Sequence, residues 1–390
     1  MTTLRAEPVT IVAAGVVTPI GSDLDAFWSG LLTGVDGIST IERFRVDDLR
    51  VARGGEIKKL PERTADVDCR ASRLLAAAAD DLLARAPLDV DPSRIAVVVG
   101  TALGGVEELE RALDDPRDVR HAAGALYDAP AHALAARLRA RGPVLTVSTA
   151  CASGATALGL GADLLRAGTV DRVIAGGYDI LCRFVMRGFD ALRSLTRDRM
   201  RPFDRSRTGL LLGEAAALVM MARDDDAPAH LGRLLGHASA SDGAHISAPD
   251  PEGRGLALAV RQAMAEADVT AAALDLVSAH GTATPLNDRI ESRVLRDALG
   301  ARGWLVPVHA IKGGMGHTMG AAATLEAIVC LLAARYGVIP HTSGLDEADP
   351  ECGLDLVAGT PRATPVRVSL STSLGFGGCN AALVLEGGPA

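Results

Sequence analysis

The sequence predicts an α/β fold built from two similar halves, and three observations carry that expectation. Short apolar, β-branched runs alternate along the chain with Ala- and Leu-rich stretches of helical length, the pattern of helices covering sheet faces. Two segments, VSTACASGATALGLGADLLRAG (147–168) and AIKGGMGHTMGAAATLEAIVCLLAARYG (310–337), share one plan. Each has an apolar lead, a turn of small residues, one reactive side chain and a Gly/Ala-rich helix. Finally, 390 residues at 48% hydrophobic content exceed a single ordinary core. Aromatic residues make up only 3%, so that core must be built from Ala, Val and Leu.

Taken in order, residues 8–14 form an apolar, β-branched run and read as a buried strand. Residues 70–86 have the composition and period of a helix, and 95–100 return to a β-branched run. A strand at 144–148 leads into a helix at 152–167, and a further strand follows at 172–176. The acidic, Pro-containing RDDDAPAH at 223–230 marks a seam, dividing the chain into halves 1–228 and 229–390. A helix at 253–267 opens after PDPEG. A duplicated fold related by a pseudo-twofold axis would bring the turns carrying Cys151 and His317 face to face, at opposing helix N-termini.

Composition excludes several classes. The six cysteines (Cys69, Cys151, Cys182, Cys330, Cys352, Cys379) are dispersed without a CxxC pair, against a zinc site or a disulfide framework. A net charge of −8 argues against nucleic-acid binding. Apolar stretches such as GLLLGEAAALVMMA read as too short or interrupted to span a membrane. The N-terminal segment lacks a cationic leader, so a cytoplasmic protein is expected. Against this acidic background, RSLTRDRMRPFDRSR gathers Arg193, Arg197, Arg199, Arg201, Arg205 and Arg207. It is either a solvated loop or a docking patch for an acidic partner.

Chemistry concentrates in three small-residue turns. A lone cysteine is more often a small hydrophobe than a nucleophile. Cys151, however, precedes a helix start, where the dipole and neighbouring cations lower a thiol pKa. His280 in SAHGTATPLND and His317 in KGGMGHTMG each occupy a Gly-punctuated turn after an apolar strand, the usual location of sites in α/β folds. Lys58, Lys59 and Lys312 are the only lysines among 40 basic residues. Lys312, five positions before His317, therefore reads as a compact ammonium in a tight site. GGMGHTMG lacks the GxxxxGK[ST] pattern, and AAGVVTPIG lacks GxGxxG, so nucleotide sites are weakly supported. The turn SLGFGGCNA (373–381) is either a simple turn or an amide donor aimed at an oxyanion.

Together TACASG, AHGTATPLND, KGGMGHTMGAAATLEA and GFGG resemble the elongating β-ketoacyl-[acyl carrier protein] synthases, in the family's order and over essentially the full chain. The resemblance implies a thiolase fold, five-layered αβαβα from two similar halves, usually dimeric. It implies a Cys151–His280–His317 site with Lys312 and with Glu326 supporting the His317 loop. Backbone amides of Cys151 and Phe376 would form the oxyanion hole, and Thr282 and Thr284 would hold the phosphopantetheine arm. Leu374, Phe376 and Gly377 would shape the acyl pocket and its gate. Arg197, Arg201, Arg70 and Arg73 would dock an acidic carrier protein. No metal or other cofactor is implied beyond phosphopantetheine-borne substrates. The partners implied are acyl carrier protein and either a second copy or a chain-length-factor-like subunit, with no nucleic acid or membrane. The intact Cys and His residues argue against a non-catalytic partner subunit, and Lys312 with GFGG against a coenzyme A thiolase. The chain departs from the family at Ala215 (commonly Gly), Gly313 (Ser), Thr372 (Asn) and Leu374 (Phe), and 105–141 is short. These departures bear on the acyl chain more than on the chemistry.

Overall fold

The computed structural model describes residues 6–60, 69–117, 119–223 and 230–389. Among the described residues the main sheet has eleven strands, in two units of the same plan. In the first, Val9–Val17 pairs antiparallel with Ala215–Arg223, which pairs antiparallel with Arg172–Asp179. Ile95–Gly100 and Val144–Val147 then follow in parallel. In the second, Gly232–Ser241 pairs antiparallel with Cys379–Gly387, and that strand antiparallel with Val368–Gly375. Leu276–Ser278 and Pro307–His309 follow in parallel, and Asp355–Leu356 extends the edge. Order and direction repeat strand for strand. The units join where Val9–Ile11 pairs with Gly232–Leu234.

Three apolar clusters define the layers. Helices Ser153–Arg166 and Ala322–Tyr336 lie between the inner faces of both units. Arg70–Arg85 and Ala129–Leu138 cover the outer face of the first unit. Arg254–Glu266 and Pro285–Leu299 cover the outer face of the second. The result is the five-layered αβαβα stack. Small residues decide how closely the middle layer packs. A Cβ on Gly154 would lie 2.6 Å from Thr324 Oγ1 and 2.7 Å from the Gly320 carbonyl, so the central helices approach at a distance only glycine permits.

The expected elements form, with differences at their ends. The strand read as 172–176 continues to Asp179 through Gly176 and Gly177. Glycine weakens a strand pattern, yet here a Cβ on Gly177 would stand 2.0 Å from the Gly320 carbonyl. The stretch Met319–Tyr336 is 18 residues long and apolar enough to cross a membrane by composition, contrary to the expectation that the longest apolar stretches are too short or interrupted. With 83% of it buried inside the protein, it is a core helix. The expected seam at 223–230, with the boundary between 1–228 and 229–390, falls on residues 224–229, outside the described residues.

Candidate active site

Cys151 stands in the turn between the strand Val144–Val147 and the helix Ser153–Arg166. Ala150 takes the left-handed backbone conformation (φ 51°), a sharp turn for a non-glycine residue. Ser153 fastens it: its Oγ accepts from the Thr149 amide at 2.9 Å and donates to the Ala150 carbonyl at 2.6 Å. The Cys151 sulfur is buried, and the Phe376 amide is placed so as to favour its charged form. The turn before Phe376 lies close, since a Cβ on Gly375 would sit 3.1 Å from the Cys151 nitrogen.

His317 occupies the corresponding place in the second half, after Pro307–His309 and before Ala322–Tyr336. Its amide donates to the Leu211 carbonyl at 2.7 Å, and its carbonyl accepts from Gly213 at 2.9 Å. Gly316, at φ 78° with the Leu212 carbonyl 2.5 Å from any added Cβ, allows that close approach. The His280 and His317 rings meet edge to face, centroids 5.3 Å apart. Both ring nitrogens of His317 are buried without a hydrogen-bond partner among the described residues, and the side chain lines an open cavity. Lys312 Nζ donates to the His280 carbonyl and to Glu326, and lies 3.4 Å from His280 Nδ1. That ammonium makes Nδ1 an acceptor, so His280 carries its proton on Nε2.

Electrostatics corrects one expectation. A helix start was expected to lower the Cys151 pKa, but burial pushes the thiol up to about 12. Lys312 and the Phe376 amide pull against that rise, while Asp179 and Glu326 add to it. Desolvation of a thiolate outweighs one cation that is itself paired with a carboxylate. Burial first, then the Lys312 charge, holds His280 and His317 well below the usual histidine range, so both are neutral. Burial also pushes the Glu326 carboxyl up, against the pull of Lys312.

Cys151, His280 and His317 open onto one cavity of 420 Å³, together with Thr282, Thr284, Leu374 and Phe376. Much of its remaining wall is apolar, including Phe189, Leu192, Leu210, Pro249 and Leu286. A buried thiol, two neutral imidazoles and an amide donor beside a largely apolar cavity suit acyl transfer with a developing oxyanion.

Models of the β-ketoacyl synthase N-terminal and C-terminal domains match residues 6–227 and 231–346. The chain belongs to the β-ketoacyl synthase family. It is 32% identical to a 3-oxoacyl-[acyl-carrier-protein] synthase 2 of Synechocystis, over 99% of both chains. It is 35% identical to the ketoacyl synthase alpha subunit of the tetracenomycin polyketide synthase of Streptomyces glaucescens, over 99% of this chain and 98% of that one. A solved structure described as the ishigamide ketosynthase/chain length factor superposes with a TM-score of 0.93 at 32% identity, over 98% of this chain and 100% of that one.

Within this ketosynthase, Thr282 and Thr284 stand 3.1 Å apart, hydroxyl to hydroxyl, on the cavity wall. Leu374 and Phe376 line the wall, and the Phe376 ring stacks on Phe189 at 5.4 Å. Gly377, expected at the gate, is not part of the wall. At φ 80° it turns the chain behind Phe376, and its amide donates to the Ile246 carbonyl at 2.9 Å. Thr372 also lies off the wall, donating to Glu291 at 2.7 Å. Gly313 has a steric reason: a Cβ there would stand 1.7 Å from the Ser343 carbonyl, leaving no room for serine.

The docking residues divide. Arg70 is an internal strut, not a docking cation: it donates to Glu214 through Nε at 2.9 Å and to the Ile57 carbonyl at 2.8 Å, with 12% of its side chain exposed. Arg201 pairs with Asp346 and Asp198, Arg199 with Asp346, Arg205 with Glu347 and Arg207 with Asp349. Most of the expected basic patch is thus a clasp onto an acidic loop of the second half. Arg197 is exposed and forms no ion pair among the described residues. Arg73 is half-buried beside a second, charged cavity that also contains Arg43, Glu107 and Arg111.

Sequence reasoning missed three buried acids. Glu291 accepts from the amides of His280 at 2.7 Å and Gly281 at 2.9 Å, clamping the His280 turn. Asp288 accepts from the amides of Phe203 at 2.8 Å and Ala283 at 3.1 Å. Their signal was two acids three apart in PLNDRIES, on the helix face that turns inward. Asp179 ends an apolar strand, and a lone acid closing such a run was the clue.

Proposed function

We propose that this ketosynthase carries an acyl chain on Cys151 and elongates it with malonyl delivered by an acyl carrier protein, working beside a chain-length-factor-like subunit. The observation that carries the reading is the convergence of Cys151, His280, His317 and the Phe376 amide on one apolar cavity. The pairing with a second subunit draws support from the alpha-subunit and ketosynthase/chain-length-factor relatives, and a homodimer is the alternative.

Because the resting thiol is neutral, attack on the carrier thioester is coupled to proton transfer to a neutral imidazole. A bond forms from the acyl carbon to Sγ, the carrier sulfur leaves, and it receives the proton. Malonyl-carrier then binds with its thioester carbonyl against His280 Nε2–H and His317. Loss of CO₂ places negative charge on that oxygen, where these two donors stabilise the enolate. The enolate carbon attacks the Cys151 thioester, whose oxyanion faces the amides of Cys151 and Phe376. The 3-ketoacyl chain departs on the carrier, and the Cys151 thiolate released takes a proton from solvent.

Intact-mass measurement after incubation with a panel of acyl-carrier thioesters tests this reading. Wild type gains the acyl mass on Cys151, and the accepted chains define the substrate. Cys151→Gln gains none, yet releases labelled CO₂ from malonyl-carrier. Formation of β-ketoacyl product by Cys151→Gln would remove Cys151 as nucleophile. Co-expression with candidate partner subunits, followed by sizing, separates the heterodimer from the homodimer.

A further inference from the structure

Asp179 ends the strand Arg172–Asp179 and is fully buried between the halves. Four donors surround it. Oδ1 accepts from Thr101 Oγ1 at 2.7 Å and the Leu103 amide at 3.0 Å. Oδ2 accepts from the Ala102 amide at 2.8 Å and the Gly320 amide at 2.7 Å. Three of these donors belong to the turn at 101–103, which lies against the Cys151 turn: the Thr101 amide donates to the Val147 carbonyl at 3.1 Å, and the Thr101 carbonyl stands 3.3 Å from Ser153 Oγ. The fourth, Gly320, lies three residues after His317, in the short turn that opens its helix. There is no slack, since a Cβ on Gly320 would lie 2.7 Å from Thr101 Cα and 2.8 Å from Asp179 Oδ2.

One carboxylate therefore joins the two reactive turns. An amide cannot replace it, because its NH₂ would face two of the four donors. Burial pushes the Asp179 carboxyl up to about 6 against the pull of those donors, so it is ionised at neutral pH. Its charge also adds to the rise of the Cys151 pKa. Asp179 and Glu326 oppose ionisation of Cys151, Lys312 and the Phe376 amide favour it, and the neutral His280 and His317 complete the surroundings.

We propose that Asp179 is a positioning residue that sets the Cys151 turn against the His317 turn and, through its charge, restrains the sulfur. The proposal rests on the reading of Cys151 as the nucleophile, and its test separates the two. Asp179→Asn and Asp179→Glu are compared with wild type for melting, for condensation kinetics and for alkylation of Cys151 by iodoacetamide, read by peptide mass. Asp179→Asn is expected to lower kcat about tenfold or more with KM little changed, as misplaced reacting groups do. It is also expected to alkylate roughly threefold or more faster than wild type between about pH 7 and 9, because removing a negative charge lowers the thiol pKa. Asp179→Glu retains the charge but is one methylene longer in a site without slack, and should keep the wild-type alkylation rate while condensation recovers only in part.

A merely structural lesion would slow condensation without speeding alkylation. Wild-type alkylation or wild-type kcat in Asp179→Asn overturns the proposal. Should that variant not fold, Thr101→Val decides: loss of one donor lowers kcat at constant KM, and an unchanged kcat overturns the assignment. Failure of the functional reading would appear separately, as a wild-type protein that forms no acyl-enzyme.

Discussion

The Cys151 and His317 turns occupy equivalent places in the two halves, each between the fifth strand of its unit and a central helix, yet their supports differ. The Cys151 turn is fastened by neutral groups: the Ser153 hydroxyl, the approach of Gly375 and the Phe376 amide. The His side is backed by a buried ion pair, Lys312 with Glu326, and by the Glu291 carboxylate under His280. A duplicated scaffold has thus been given one turn held directly by neutral groups, with the Asp179 carboxylate one step behind it, and one turn with charged groups against its own residues. The difference matches the work proposed for each. A nucleophile needs little fixed charge once its sulfur is acylated, whereas imidazoles that meet a developing enolate need a set tautomer and orientation.

The comparison breaks first at the ion pair. Lys312→Met is expected to lower unfolding stability by about 3–5 kcal/mol, because Glu326, its carboxyl already pushed up by burial, loses its buried partner and must take up a proton to stay in the core. Urea denaturation should show the double variant Lys312→Met/Glu326→Leu recovering a large part of that loss. Equal losses in single and double variants would mean that the pair is not the frame of the His side.

Next in size, His317→Ala separates the turns by chemistry. Decarboxylation of malonyl-carrier should fall by roughly 10²–10³, the loss for one oxyanion donor, while Cys151 still acquires an acyl group. Labelled CO₂ release and intact mass read the two steps independently. A parallel loss of acylation would show that the turns act as one unit.

The Cys151 side is probed through its wall. Leu374 is buried and lines the cavity, so Leu374→Phe should disfavour the longest acyl chains by about 1–3 kcal/mol through overpacking. An unchanged acyl profile in a folded variant would free Leu374 of any part in selection.

The smallest effects belong to the arginines outside both turns. Arg197→Glu should raise KM for carrier-bound substrates, with salt narrowing the gap from wild type, and leave small thioester mimics untouched. Arg201→Glu, by contrast, breaks the contact with Asp346. It should shift the melting temperature by the modest amount of a surface pair, within about 1 kcal/mol, rather than KM. A matched KM effect in both would restore the whole cluster as a docking patch.

The sequence by itself determined the layered α/β duplication, because apolar period, small-residue turns and helical composition are local properties repeated in both halves. It also marked Cys151, His280, His317 and Lys312, since reactive side chains in Gly-punctuated turns stand out from the pattern around them. Only the tertiary structure decided what surrounds those residues. Glu291, Asp288 and Asp179 are ordinary acids in a linear text, and become clamps when the fold removes them from water and points backbone amides at them. Arg70 and Arg201 read as free cations until their carboxylates, 144 and 145 positions away, closed on them. The thiol state followed the same rule. A helix start is visible in sequence, but desolvation is a property of everything packed around the sulfur, and here it is the larger effect.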